Sequence, residues 1–116
     1  MLNVKKLLYK ILGMLTVSST LTITACGKLW YFHKVGRTVF FDAPNDIGSA
    51  SAGTNTLGTL PVEFRPQVQQ KIGSGNRSNW NGFVQIETNG TFILYTPSAI
   101  TSATNGGFSA TYLSAS

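Results

Sequence analysis

The chain has 116 residues; 11% are charged and many are Gly, Ser, Thr or Asn, which is room for one domain with a short appendage and the composition of a turn-rich β protein, not a helical bundle. The net charge of +5 is confined to residues 1–37, where Lys5, Lys6, Lys10, Lys28, Lys34 and Arg37 meet no acid, while beyond them Arg65, Lys71 and Arg77 are offset by Asp42, Asp46, Glu63 and Glu87. A near-neutral body excludes the basic stripe of a nucleic-acid interface, and a single cysteine, Cys26, excludes an intramolecular disulfide or a cysteine zinc cluster.

Residues 1–18 read as a short amphipathic stem. Met1, Val4, Leu8, Ile11 and Leu15 alternate at spacings of three and four, with Lys5, Lys6 and Lys10 off that seam. Leu or Met at one seam position and Ile or Val at the other lean toward assemblies of three or more helices, and two heptads need support from a larger assembly. The same stretch admits a second reading. Lys5-Lys6 followed by Ile23-Thr24-Ala25-Cys26 resembles a bacterial lipoprotein signal, with Cys26 as the lipidated residue and the membrane as location. Lys10 and the hydroxylated run Thr16 to Thr24 make its apolar region poor.

Residues 19–116 read as an all-β head. Thr20 to Ala25 alternates hydroxyl and apolar residues. Lys28 to Val35 is a second strand, with Trp30 and Phe32 on one face and Tyr31, His33 and Val35 on the other. Arg37 to Ala43 is a third, joined by a tight turn at Gly36. Asn45 to Thr56 reads as a mobile loop, Thr56 to Leu60 as a strand ended by Pro61, and Gln67 to Ile72 as another strand. Pro61 and Pro66 cannot donate to a ladder, so the stretch they bracket runs along an edge or over an end. Gly73 to Asn81 is a polar loop, and Phe108 to Leu113 is the last strand after the loop at 97–107.

The hairpin Gly82 to Thr96 is the clearest local signal, because Asn89-Gly90 fits a two-residue type I′ turn. That turn sets Glu87 opposite Phe92, Ile86 opposite Ile93 and Val84 opposite Tyr95. One face would then be Val84, Ile86, Ile93 and Tyr95, read as core. The other would carry Phe83, Phe92 and Leu94, which need cover from a neighbouring subunit. Seven or eight short strands with turns between them predict an antiparallel β-sandwich or jelly-roll-like barrel behind the N-terminal helix.

Trp30, Lys34 and Gly36, then Val39-Phe40-Phe41, Gly58-Thr59-Leu60-Pro61, Phe64-Arg65-Pro66, Gly82-Phe83-Val84-Gln85-Ile86, Asn89-Gly90-Thr91-Phe92 and Tyr112 follow one another in an order with a counterpart. Over residues 28–116 the chain resembles the C-terminal head domain of bacteriophage tail-fibre and baseplate receptor-binding proteins, from phages and prophages of Gram-positive hosts. The resemblance implies a virion protein at the tail tip. It implies a homotrimer that contacts other tail or baseplate proteins and adsorbs to a host cell-wall or surface glycan, with no catalysis and no cofactor. Val4, Leu8, Ile11, Leu15, Phe83, Phe92 and Leu94 are then the trimer-interface candidates.

Little in the residues supports bond-making chemistry. His33 is the one histidine and reads as a half-buried strand residue, so a metal site or a Ser-His-Asp triad lacks its parts. Asp42 and Asp46 lie four residues apart at a strand exit and read as loop carboxylates in an Asx-type turn, not a glycosidase pair. Saccharides ask for aromatic faces and planar hydrogen-bonding side chains, which Arg77, Asn79, Trp80 and Asn81 supply. Asp42, Asp46, Asn55 and the 97–107 loop are further candidates, and no single loop says which others meet it at one end.

Overall fold

A computed structural model describes residues 18–73, 82–101 and 108–116. The helix expected over residues 1–18, with Val4, Leu8, Ile11 and Leu15, falls outside the described residues except for Ser18. Eight strands follow: β1 (Ser18–Ala25), β2 (Lys28–Val35), β3 (Thr38–Asp42), β4 (Gly53–Thr59), β5 (Gln70–Gly73), β6 (Phe83–Ile86), β7 (Thr91–Thr96) and β8 (Ser109–Leu113). They form two antiparallel four-stranded sheets in the orders β1-β2-β3-β8 and β4-β7-β6-β5. The two sheets enclose one core, as in a β-sandwich.

The first sheet follows from the period-two pattern and two tight turns. Cys26 and Gly27 both have positive φ, 56° and 74°, and Ala25 lies opposite Lys28, so they form a type I′ turn. Cys26 is therefore a turn residue and not the strand residue its neighbours suggest. Gly36 alone has positive φ in the next hairpin, between Val35 and Thr38, as a type II′ turn requires. Trp30, Phe32, Val39, Phe41 and Tyr112 point inward, and Leu21, Ile23 and Ala25 add a half-buried flank. Trp30 Nε1 donates to the carbonyl of Ala25 at 3.0 Å, which satisfies the one polar atom of a fully buried side chain.

The central hairpin differs from expectation by one residue. The observed pairs are Phe83 with Tyr95, Val84 with Leu94, Gln85 with Ile93 and Ile86 with Phe92. Gly90 N–H donates to Glu87 O at 2.9 Å and Glu87 N–H to Thr91 O at 2.9 Å, so the connection has three residues, not two. Gly90 alone takes positive φ, at 92°, and Thr91 N–H is held by Asn89 Oδ1 at 3.0 Å. This is a type I turn closed by a glycine bulge. A one-residue slip turns every side chain of the strand to the other face. Phe92 and Leu94 are accordingly fully buried in the chain's own core, and Ile93 and Tyr95 face outward. The outward face of this hairpin is Phe83, Gln85, Ile93 and Tyr95. Of the interface candidates Phe83, Phe92 and Leu94, only Phe83 remains on an outer surface.

Packing explains the preference. Phe92 meets Trp30, Phe32 and Phe41 edge-to-face at centroid distances of 5.7, 5.3 and 5.8 Å. Such pairs add about 0.5–1.5 kcal/mol each beyond burial, which Ile93 in that place would forgo. The bulge is also enforced from outside. A Cβ on Gly90 would lie 2.6 Å from Leu60 O and 2.8 Å from Arg65 Nε, so the tip is clamped beneath the proline-bracketed stretch.

That stretch closes one end of the sandwich. Leu60 N–H donates to Gly90 O at 2.8 Å, and Val62–Phe64 forms a single 3-10 turn that drives Phe64 into the core. Tyr112 Oη donates to Phe64 O at 2.6 Å. Residues 65–67 then run beside β8, with Gln67 N–H on Leu113 O and Ala115 N–H on Arg65 O. β4 starts earlier than expected, at Gly53, because Asn55 and its neighbours pair with β7, and β5 starts later, at Gln70.

Two outcomes follow. Leu94→Ala should lower stability by about 2–5 kcal/mol in urea unfolding, and Ile93→Thr by less than about 1 kcal/mol, the reverse of the order the two-residue turn would give. Burial holds the Tyr112 phenol protonated well above its ordinary value. The unfolded chain releases that proton near pH 10 while the folded chain keeps it, so the associated stability is complete below about pH 10 and declines as pH rises past it. Tyr112→Phe should flatten that alkaline decline while costing about 1 kcal/mol at neutral pH.

Candidate functional site

The strand order gives the sandwich two unlike poles. At the closed pole lie the Gly36-Arg37 turn, the proline-bracketed stretch, the tip at Gly90 and the C-terminal residues. Lys34 Nζ donates there to Glu63 O at 2.7 Å and Ser116 O at 2.8 Å, and Arg37 donates to Ser114 O at 3.0 Å. β1 begins at this pole, with Ser18 opposite Val35. At the other pole lie the Cys26-Gly27 turn, the end of β3 at Asp42, the start of β4 at Gly53 opposite Thr96, and the start of β8 at Ser109. Gly73 pairs with Phe83 here, so the chain leaves toward 74–81 and returns from it at this loop pole.

The segment 43–52 is better fixed than its composition suggests. Ala43 N–H donates to Phe108 O, and Ala50 and Ile100 exchange two backbone bonds, all at 2.9 Å. Ile47 is fully buried. Asp46 Oδ1 accepts from Gly48 N–H at 2.9 Å, the expected Asx turn, while its Oδ2 lies 4.0 Å from Lys28 Nζ. Gly48, at φ 80°, sits so close to Cys26 O that a side chain would collide with it. Asn55 accepts from Ser51 N–H at 3.2 Å and donates to Ser51 O at 2.9 Å, and Thr96 Oγ1 donates to Ser51 O at 3.0 Å. Asn55 thus holds the loop in place through its amide. Between these residues lies an open cleft of about 290 Å³ lined by Ser49, Ala50, Ser51, Asn55 and Ala99. Its walls offer the hydroxyls of Ser49 and Ser51 and the small apolar groups of Ala50 and Ala99.

Beside this pole the outward face of the second sheet carries an aromatic stack. Phe83 and Tyr95 lie 5.0 Å apart at 22°, and the Lys71 ammonium sits 4.1 Å above the Phe83 ring. The outer face of the first sheet carries a second aromatic surface, with Tyr31 and Phe40 each nearly half exposed beside His33, which lies opposite Phe40. His33 is exposed there and not half-buried as expected. The alternation of Leu29, Tyr31 and His33 against Trp30 and Phe32 carries this surface in the sequence, since both parities of β2 are apolar or aromatic.

Arg77, Asn79, Trp80 and Asn81 lie outside the described residues. The structure does not join Asp42 to Asp46: Asp42 points outward from β3 opposite Ser109, while Asp46 turns into its own loop. Among the described residues no group of three or more His, Cys, Asp or Glu converges. Burial pushes the Cys26 thiol above its ordinary value, so it is a protonated, weakly nucleophilic group. No helix among the described residues is long and apolar enough to cross a membrane. No protein-family model matches the chain, and no curated protein matches it in sequence.

Proposed function

We propose that the chain is the receptor-binding head of a phage tail or baseplate, which adsorbs to a saccharide on the host cell surface and breaks no bond. The observation that carries this reading is the separation of the poles. Ser18 starts β1 at the closed pole, and the segment 43–52 and the strand ends Gly73 and Phe83 lie at the opposite one. A glycan needs hydroxyl and amide partners and an aromatic face. The cleft supplies hydroxyls from Ser49 and Ser51, the Asn55 amide being spent on Ser51. The segment leaving at Gly73 and returning at Gly82 contains Trp80, Arg77, Asn79 and Asn81, which supply the rest. Assembly as a homotrimer on other tail or baseplate proteins would multiply a weak single-site affinity.

A surface lipoprotein anchored through Cys26 is the second reading, and the first hairpin weighs against it. Cleavage ahead of Cys26 would remove all of β1, with Leu21, Ile23 and Ala25 from the core flank and the carbonyl that Trp30 donates to. Intact mass of the protein from its native host should give a chain that retains residues 1–25. A product starting at Cys26 with added acyl mass would contradict the tail reading. On an array of Gram-positive cell-wall glycans the full chain should bind, and Trp80→Ala should weaken the signal at least tenfold, about 1.4 kcal/mol. Unchanged binding would remove Trp80 from the site.

A further inference from the structure

We infer that the free edge of β1 is a strand-to-strand contact with a second copy of this chain. The inference rests on the self-association in the reading above but not on its three-fold symmetry, since one free edge pairs with one partner, and it is independent of the saccharide.

The sheets have four edges, and three are protected. β8 is five residues long and is met at its end by residues 65–67, which bond to Leu113 and Ala115. β4 is broken by a bulge between Thr56 and Gly58. β5 has four residues, among them Lys71, which points outward. Short strands, bulges, lysines and covering segments are the devices that keep sheet edges from pairing. β1 has none of them. It is eight residues long, Ser18–Ala25, uncharged, without Pro or Gly, and in unbroken register with β2.

The type I′ turn fixes which groups are free. Ala25 and Lys28 flank a two-residue loop and exchange both bonds with each other, and so, alternately, do Ile23 with Trp30 and Leu21 with Phe32. The N–H and C=O groups of Thr20, Thr22 and Thr24 therefore point away from β2. Among the described residues no strand pairs with them. Leu21 and Ile23 are only half-buried on the inner face of the same strand.

The sequence also favours a second copy as the occupant. The sequence just before Ser18 carries the three-four seam from Met1 to Leu15, spaced for self-association. An edge without charge meets its like without repulsion, and its apolar flank gains cover.

The test is backbone hydrogen exchange on the full chain, with its mass in solution measured in parallel by light scattering. The amides of Thr20, Thr22 and Thr24 should be protected in an assembly of two or more copies. Thr22→Pro, which removes an edge-facing donor, and Thr22→Lys, which keeps the backbone and adds a charge, should each weaken association at least tenfold. Circular dichroism should be unchanged for the lysine variant. A monomer at all concentrations, or an assembly in which these amides exchange freely, overturns the inference. So does an assembly that survives Thr22→Lys with the fold intact. Loss of glycan binding alone would count against the saccharide reading and leave this contact standing.

Discussion

Phe92 sits between the sheets, in edge contact with Trp30, Phe32 and Phe41, and much else depends on its being there. A buried aromatic of this size carries a large share of a small domain's hydrophobic stabilisation, about 3–5 kcal/mol on truncation. Its inward position is decided outside the core, by the three-residue connection at Glu87 to Gly90. That connection needs one residue with positive φ and no side chain. Only Gly90 provides both, under the carbonyl of Leu60 and the Arg65 guanidinium. Turn, clamp and core are thus one constraint, and together they fix which face of β7 is inside.

The same constraint divides the molecule into poles. The proline-bracketed stretch is drawn over the hairpin tip by Leu60 and locked by Phe64 and Tyr112, so the end that receives β1 is occupied by backbone bonds. The opposite end has no such closure. There the segment 43–52 is fixed by Asn55, Thr96 and the pairing of Ala50 with Ile100, which leaves the Ser49 and Ser51 hydroxyls around an open cleft. Rigid loops on a sandwich are suited to recognition, because little ordering entropy is lost on binding.

The succession of strands along the chain, the tight turn at Gly36 and the exclusion of Pro61 and Pro66 from a central ladder were legible in the sequence, because each rests on local rules; the turn at Cys26-Gly27 was not. Alternation alone set Trp30 and Phe32 on one face, and the structure shows that face buried. The central register was not legible. Asn-Gly admits both a two-residue turn and a three-residue turn with a bulge, and the choice between them is made by Leu60 and Arg65, thirty and twenty-five positions from Gly90 in the chain. Phe92 and Leu94 were therefore set on the wrong side. The grouping of loops at one pole was equally hidden, since it follows from strand order and not from any one loop. Ser49, Ser51 and Ala99 carry no motif. They matter only because Asn55 and Ile100 bring their segments together.

The hairpin register can be observed directly as close contacts between α-protons of facing residues in a nuclear Overhauser spectrum. In antiparallel sheets these are strong only at pairs that share no hydrogen bond. The account predicts them for Ile86 with Phe92 and Val84 with Leu94. Contacts between Glu87 and Phe92 and between Gln85 and Leu94 would mean the two-residue turn instead. They would return Phe92 and Leu94 to the surface and contradict the core, the clamp at Gly90 and the division into poles built on them.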